Sequence, residues 1–293
     1  MADFESTQLA ESSKKLFTKK LQQFASFAKK PIEFIVDNPE LAIKALENQQ
    51  ITQTPANKHM FYSAVVAWLK HTESGKIRSE RIKQRWEAIQ KANWESRRQQ
   101  DLNNTPTQNQ IDVATTLKWD DIVLKRDSLP HGSLQKLLLS LYTYLPPVRA
   151  DYYSVEINPK TANNEKKNYI LITNNNATIV LNNFKTASKY KTITHICPEP
   201  LYKEIKASLA NQPRNYLFTM PTDNKRPFDR NSFSKWANAQ LQAIFDIHIN
   251  LTSLRHLYIS AIDFNNTRTA ELEKIGKMMG HSVVMQKGYQ WIQ

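Results

Sequence analysis

The 293-residue chain has a single cysteine, Cys197. It can form no intrachain disulfide, and metal clusters of the zinc-finger kind are excluded with it. A reducing setting, intracellular in the cytoplasm or nucleus, fits such cysteine usage. Glycine is equally scarce, with five in all. No Gly-rich phosphate loop can be read, so a P-loop or Rossmann nucleotide site is not expected. Long apolar runs are missing too. Nothing in the chain is long enough to span a bilayer. Residues 1–30 carry Lys and Glu throughout and lack the apolar stretch of a signal peptide. A soluble protein with no membrane partner and no bound metal or cofactor is the expectation.

What is abundant is positive charge. Forty Lys and Arg stand against 27 Asp and Glu, while hydrophobic residues make up 40%, an ordinary proportion for a folded protein. An excess of 13 positive charges points to a polyanionic partner, nucleic acid before an anionic membrane. The excess is spread along the chain, with 17 basic against 12 acidic residues in 1–111 and 23 against 15 in the rest.

The length suits two domains, or one large one. Residues 1–30 are polar and Lys-rich, with a weak helical pattern in Leu16, Leu21, Phe24 and Phe27. They read as an arm or a loosely docked helix. Residues 31–98 read as a helical domain. Phe61, Val65, Trp68 and Leu69 make one apolar helix face, and Ile82, Trp86 and Ile89 another. Over Lys76 to Arg98 eight basic residues accompany three acidic ones. Arg78, Arg81 and Arg85 share a helical face there, which could track DNA phosphates or simply be solvated. Residues 99–112, polar and poor in apolar side chains, are the expected linker. The second domain, 113–293, mixes types. Leu134, Leu137, Leu138 and Leu141 mark a helix that stops at Pro146-Pro147. Strands are expected at Tyr152–Ile157, Tyr169–Thr173, Thr178–Leu181 and Tyr190–Ile196, with a hairpin turn at Asn174–Asn176. Helices follow at about 200–210, 231–245, 252–262 and 269–279. The class is mainly α with a small antiparallel sheet.

Four places in the second domain stand out: Pro146-Pro147-Val148-Arg149-Ala150-Asp151; Asn182-Asn183-Phe184-Lys185-Thr186; Leu254-Arg255-His256; and Met279-Gly280-His281-Ser282 with Tyr289 eight residues on. Singly each has a plainer use. An Arg after a Pro pair is usually at the surface, a hairpin Lys is usually solvated, and Gly-His at a helix end is usually a cap.

In this order, the five residues Arg149, Lys185, Arg255, His281 and Tyr289 resemble the catalytic set of the tyrosine recombinase (integrase) family. The resemblance covers about residues 115–293, and the helical region before the linker resembles that family's core-binding domain by pattern and position. The wording PPVRADY, NNFKTASKY, SLRHLYIS and MGHSVVMQKGY is similar to integrases of large DNA viruses and virophages. The resemblance implies a helical core-binding domain followed by a recombinase catalytic domain. It also implies an enzyme that cuts and rejoins double-stranded DNA through a 3′-phosphotyrosyl link, as a homo-tetramer on DNA, without metal or ATP. Tyr289 would be the nucleophile, Arg149 and Arg255 would hold the phosphate, and Lys185 (or Lys189) would protonate the leaving oxygen. His281 would donate to the phosphate or position the phenol.

Two features depart from the family pattern. Three residues before Arg255, where the family usually has His or Lys, stands Thr252, which cannot usefully accept a proton near neutral pH. His281, or less readily His256, would have to stand in. Thr252, His256, Asp151 and Lys189 are therefore expected to line the site. Only four residues follow Tyr289, where family members commonly carry a further docking segment. The alternatives are a DNA-binding protein on the same fold that has lost catalysis, and a DNA-relaxing enzyme of the type IB topoisomerase kind.

Overall fold

Apolar residues at helical spacing set the packing of the first unit. In the computed structural model, which describes residues 4, 7–50, 54–102, 107–160 and 166–291, the chain divides into two compact units, Met1–Thr105 and Pro106–Gln293. The first unit is helical: α1 (Glu11–Ala28), α2 (Ile32–Asp37), α3 (Pro39–Glu47), α4 (Pro55–His71), α5 (Glu73–Lys76) and α6 (Glu80–Leu102). Pro55 takes the first position of α4, where its missing N–H costs nothing. The Thr54 side chain caps the next free donor, accepting from Asn57 N at 3.2 Å. The apolar stripe of α4 meets Trp86 of α6, fully buried, whose indole N–H donates to Val36 O at 2.8 Å.

Two expectations change in this unit. Residues 11–28 are no loose arm: α1 buries Leu21 and Phe24, and the Phe24 ring lies edge-on to Trp86 and Phe61 at 6.3 and 5.7 Å. The polar residues of its sequence occupy the outer faces of an amphipathic helix. The basic run is also not one helix. Thr72 caps α5, accepting from Gly75 N at 3.0 Å and donating to Trp68 O at 2.8 Å. A side chain at Gly75 would strike the Trp68 carbonyl, 2.2 Å from where its Cβ would sit. The chain therefore breaks before α6, and Arg78 falls in the break.

The expected linker is largely helical. α6 runs to Leu102, and α7 (Gln108–Thr116) starts under a reciprocal cap between Thr107 and Gln110. Residues 103–106 lie outside the described residues. The second unit continues with α8 (Trp119–Ser128), α9 (Leu134–Tyr144), β1 (Glu156–Ile157), β2 (Tyr169–Ile172), β3 (Ala177–Leu181), α10 (Ala187–Tyr190), β4 (Ile193–Ile196) and α11 (Glu199–Asn211). It closes with β5 (Thr219–Met220), β6 (Asp223–Pro227), α12 (Arg230–Phe245), α13 (Leu251–Ser260), α14 (Thr269–Met279) and α15 (Val283–Lys287).

The fold is mainly α with a small sheet of order β1-β2-β3-β4. The β2–β3 hairpin turns at Asn174–Asn176, and β3–β4 is also antiparallel. The sheet is mixed, because β1 runs parallel to β2. β1 is also shorter than expected. Residues 151–154 form turns instead, because Asp151 and Arg149 are held by side chains and not by a strand ladder. Leu137, Leu138 and Leu141 of α9, Ile170 and Ile179 of the sheet, and Leu254 of α13 share one core. That core holds α9 and α13, which lead to or carry polar residues described below. Among the described residues no helix is long and apolar enough to cross a membrane.

Candidate active site

Four of the five residues singled out in the sequence come together: Arg149, Arg255 and His281 surround the phenol of Tyr289. Arg149, half-buried just past the end of α9, donates from Nη2 to Tyr289 Oη at 3.3 Å. Arg255, on α13 and 1% exposed, places its guanidinium carbon 5.0 Å from the centre of the Tyr289 ring. The His281 ring stacks near that of Tyr289, with centroids 5.5 Å apart and planes 25° apart.

Each residue is held from behind. Tyr142 Oη donates to Arg149 O at 2.6 Å, and the Asp151 carboxylate accepts Arg149 N–H at 3.2 Å. Arg255 donates from Nη1 to Pro147 O at 2.5 Å and more weakly to Met279 O at 3.4 Å. One guanidinium thus ties the Pro147 turn to the end of α14. That helix ends on Gly280, whose φ of +68° is the left-handed cap that glycine adopts without strain. His281 follows directly. Tyr289 N–H donates to Gln286 O at 2.8 Å, and the Gln286 side chain, fully buried, donates to Leu272 O at 2.8 Å. His256 donates from Nδ1 to Tyr289 O at 2.6 Å, and its ring stacks on Trp291 at 4.8 Å.

The electrostatics favour negative charge here. Burial pushes the Tyr289 phenol up, but the charges of Arg255 and Arg149 pull it down further, and it ends below the ordinary tyrosine value. Burial lowers Arg255 to about 10, which leaves it a cation at neutral pH. Its Nε and Nη2 are buried, and neither closes a hydrogen bond of ordinary geometry. Unpaired N–H groups on a buried cation are costly, about 1–3 kcal/mol for each unsatisfied group. An anion at this point would relieve that cost. Burial, then the charge of Arg255, lowers His281 to about 4, so its imidazole is neutral. His281 Nδ1 donates to Ser282 O at 3.2 Å, which leaves Nε2 with its lone pair, buried and without a partner. That nitrogen can accept a hydrogen bond. In this tautomer it cannot donate to a phosphate.

The other sequence candidates separate. Lys185 is exposed on the β3–α10 turn. That turn is clasped to the site, since Thr186 Oγ1 donates to Gly280 O at 2.8 Å. Lys189 lies on α10 with its ammonium 5.4 Å from the Tyr190 ring. Asp151 is buried, in an ion pair with Arg230. Thr252 is exposed and shares with His256 a polar cleft of about 370 Å³, lined also by Gln110, Asn238 and Asn250. His256 grips the backbone of Tyr289. In the first unit Arg78 pairs with Asp37 and Arg85 with Glu40, each at 2.9 Å. Arg81 stands exposed beside Glu40.

Two participants escaped the sequence reading. Trp291 is seven per cent exposed and donates its backbone N–H to Ser260 Oγ at 2.8 Å, strapping the residues after Tyr289 to α13. Arg230 opens α12, and the only hint of it was a cation in the first turn of a helix, where the dipole disfavours one. Among the described residues no cluster of three or more His, Cys, Asp or Glu could hold a metal ion.

No protein-family model matches the chain, and no curated protein matches it. Among solved structures it is similar to that of XerA recombinase, at 15% sequence identity and a TM-score of 0.43, over 98% of this chain and 89% of that one.

Proposed function

We propose that this chain is a DNA strand-cutting and rejoining enzyme of the tyrosine recombinase type, with Tyr289 as nucleophile. The observation that carries the reading is the phenol set between two guanidiniums, one of them buried with unpaired N–H groups. A phosphodiester repels nucleophiles by its charge. Arg149 and Arg255 would bind its non-bridging oxygens and stabilise the added charge of the five-coordinate transition state. The same two cations favour the phenolate. The phenolate oxygen attacks phosphorus, the P–O5′ bond breaks, and the DNA 3′ end is left on Tyr289. The departing 5′-oxygen needs a proton, which Lys185 supplies from its mobile-length side chain on the β3–α10 turn. The phenol proton, loosened by the two cations, leaves to solvent, and His281 stacked beside the ring positions the phenol, so that no basic residue is needed at Thr252. Because the phosphotyrosyl link keeps the ester bond energy, rejoining is the same step in reverse.

Cutting both strands of two duplexes calls for four such phenols, hence four copies of the chain on DNA. The net positive charge and the exposed Arg81 fit sequence-independent phosphate contacts. The similarity of the four motif segments to virus-type integrases favours a mobile element as the setting, with integration as the task.

A direct test uses a pool of random-sequence duplexes nicked a few bases past each potential cut, so that the released fragment diffuses away and the link is trapped. After denaturing electrophoresis the wild-type chain carries labelled DNA and Tyr289→Phe carries none. Wild-type protein that binds the pool but never retains label would mean the related alternative, a DNA-binding protein without catalysis.

A further inference from the structure

Arg230 has no place in the chemistry so far. It is the first residue of α12, whose N-cap is Asp229; that side chain already accepts from Asn231 N at 2.8 Å and Ser232 N at 3.0 Å. A cation in the first turn opposes the helix dipole at a cost of about 0.3–1 kcal/mol. Arg230 is not simply solvated there. It forms an ion pair with Oδ1 of Asp151, which is 3% exposed. The other oxygen of that carboxylate accepts the backbone N–H of Arg149.

The arrangement contains a competition. Asp151 is two residues from Arg149, and a buried carboxylate without a counter-charge draws in the nearest guanidinium. If the Arg149 side chain answered that pull, it would leave Tyr289. With Arg230 on Oδ1, the carboxylate is neutralised and holds Arg149 only through its main chain. Tyr142 on Arg149 O and Asn168 Nδ2 on Asp151 O, at 2.6 and 2.9 Å, pin the same turn from its other sides. The charge count agrees. Arg149, Arg230 and Arg255 face one another across this region with one carboxylate among them, Asp151, while His256 and His281, the other titratable groups against Tyr289, are depressed by burial first and by the Arg255 charge. Two positive charges remain for a phenolate and a phosphodiester.

We infer that Arg230 is a positioning residue: by occupying the Asp151 carboxylate it keeps the Arg149 guanidinium on the Tyr289 hydroxyl and available to the scissile phosphate. The inference rests on the strand-cutting reading above and adds to it a residue outside the five.

The test has one readout that does not need activity. The Tyr289 ring is followed by carbon NMR in tyrosine-labelled protein, its resonance identified as the one missing from Tyr289→Phe. In Arg230→Met the Tyr289 titration moves up, because Arg149 has turned away, and removing the competing charge in Arg230→Met/Asp151→Asn brings it back down. Arg230→Lys keeps the wild-type titration. Trapped adduct forms on the order of 100-fold more slowly in Arg230→Met, the scale of a misplacement of about 1 Å, while affinity for the nicked duplex pool stays within about twofold. The double variant recovers most of the rate. Should Arg230→Met not fold, Arg230→Gln, which can still hydrogen-bond the carboxylate but carries no charge, is read in the same way. An unmoved Tyr289 titration and an unchanged adduct rate in the uncharged variant would overturn the inference. So would a double variant no better than the single one. If wild-type protein forms no adduct at all, the strand-cutting reading fails, and the NMR titration still decides whether Arg230 places Arg149.

Discussion

Arg149 and Tyr289, 140 residues apart in the chain, meet in a hydrogen bond of 3.3 Å from guanidinium to phenol. The contact joins the turn after α9 to the segment after α15, and Arg255 closes it from the face of the ring. A guanidinium on a phenol stabilises the phenolate, so the contact has a consequence in pH.

Strand cutting by the wild-type chain should rise with pH and level off below the ordinary tyrosine value near 10, because the deprotonated phenol is the reactive form and the charges of Arg255 and Arg149, acting against burial, hold it low. Arg149→Met should move the rising limb to higher pH. The check is the single-turnover rate of adduct formation across pH. A limb above the ordinary tyrosine range in the wild type contradicts it.

Lys185→Ala should slow cutting by about 10²–10⁴-fold, the usual range for a lost general acid. With a 5′-bridging sulfur in place of the leaving oxygen, the loss should shrink to a small factor, because a thiolate leaves without a proton. Equal losses on both substrates would remove the proton-donor role from Lys185.

Stability should fall in acid through His195. Both ring nitrogens of this β4 residue are buried without a partner, and burial lowers it to about 4. As pH drops below about 6.5 the unfolded chain takes up a proton that the folded chain refuses. The stability present above 6.5 is therefore lost progressively as pH falls toward 4, by on the order of 3 kcal/mol. His195→Leu should flatten this part of the thermal-melting profile against pH. His281, also lowered to about 4, adds a further loss of the same sign that the substitution leaves in place.

Gly280→Ala should cost about 1–2 kcal/mol for the left-handed backbone alone. The new Cβ would also come 3.1 Å from Thr186 Oγ1 and 3.2 Å from the Phe184 ring. Since that turn carries Lys185, cutting should slow more on the ordinary substrate than on the 5′-sulfur one. A lower melting temperature with no such difference would limit Gly280 to a structural cap.

The sequence carried the helices of the second unit well, because α9, α12 and α14 have continuous apolar faces, with clear stops at Pro146 for α9 and Gly280 for α14. It carried the β2–β3 hairpin through its asparagine turn. The strand expected over Tyr152–Ile157 shrank to the two residues of β1, because the residues before it are fixed by the Asp151 and Asn168 side chains, and its parallel direction left no signal. The lysines of α1 blurred its apolar face, so its sequence reads as an arm or a loosely docked helix where Leu21 and Phe24 are in fact buried. At the site, Tyr289 and the three residues around its phenol were legible as motifs in order. Arg230 was not, because its meaning depends on Asp151, 79 residues earlier in the chain, and the role of His256 depends on a bond to a backbone carbonyl that no side-chain pattern announces.

Strand cutting by the phenol is tested most directly by finding which atom holds the DNA. Trapped adduct is digested with protease and nuclease, and the nucleotide-bearing peptide is sequenced by mass spectrometry. The mass of a 3′-linked nucleotide on Tyr289 is the predicted result; a nucleotide on any other residue, or a DNA-binding wild-type protein that yields no such peptide, contradicts it.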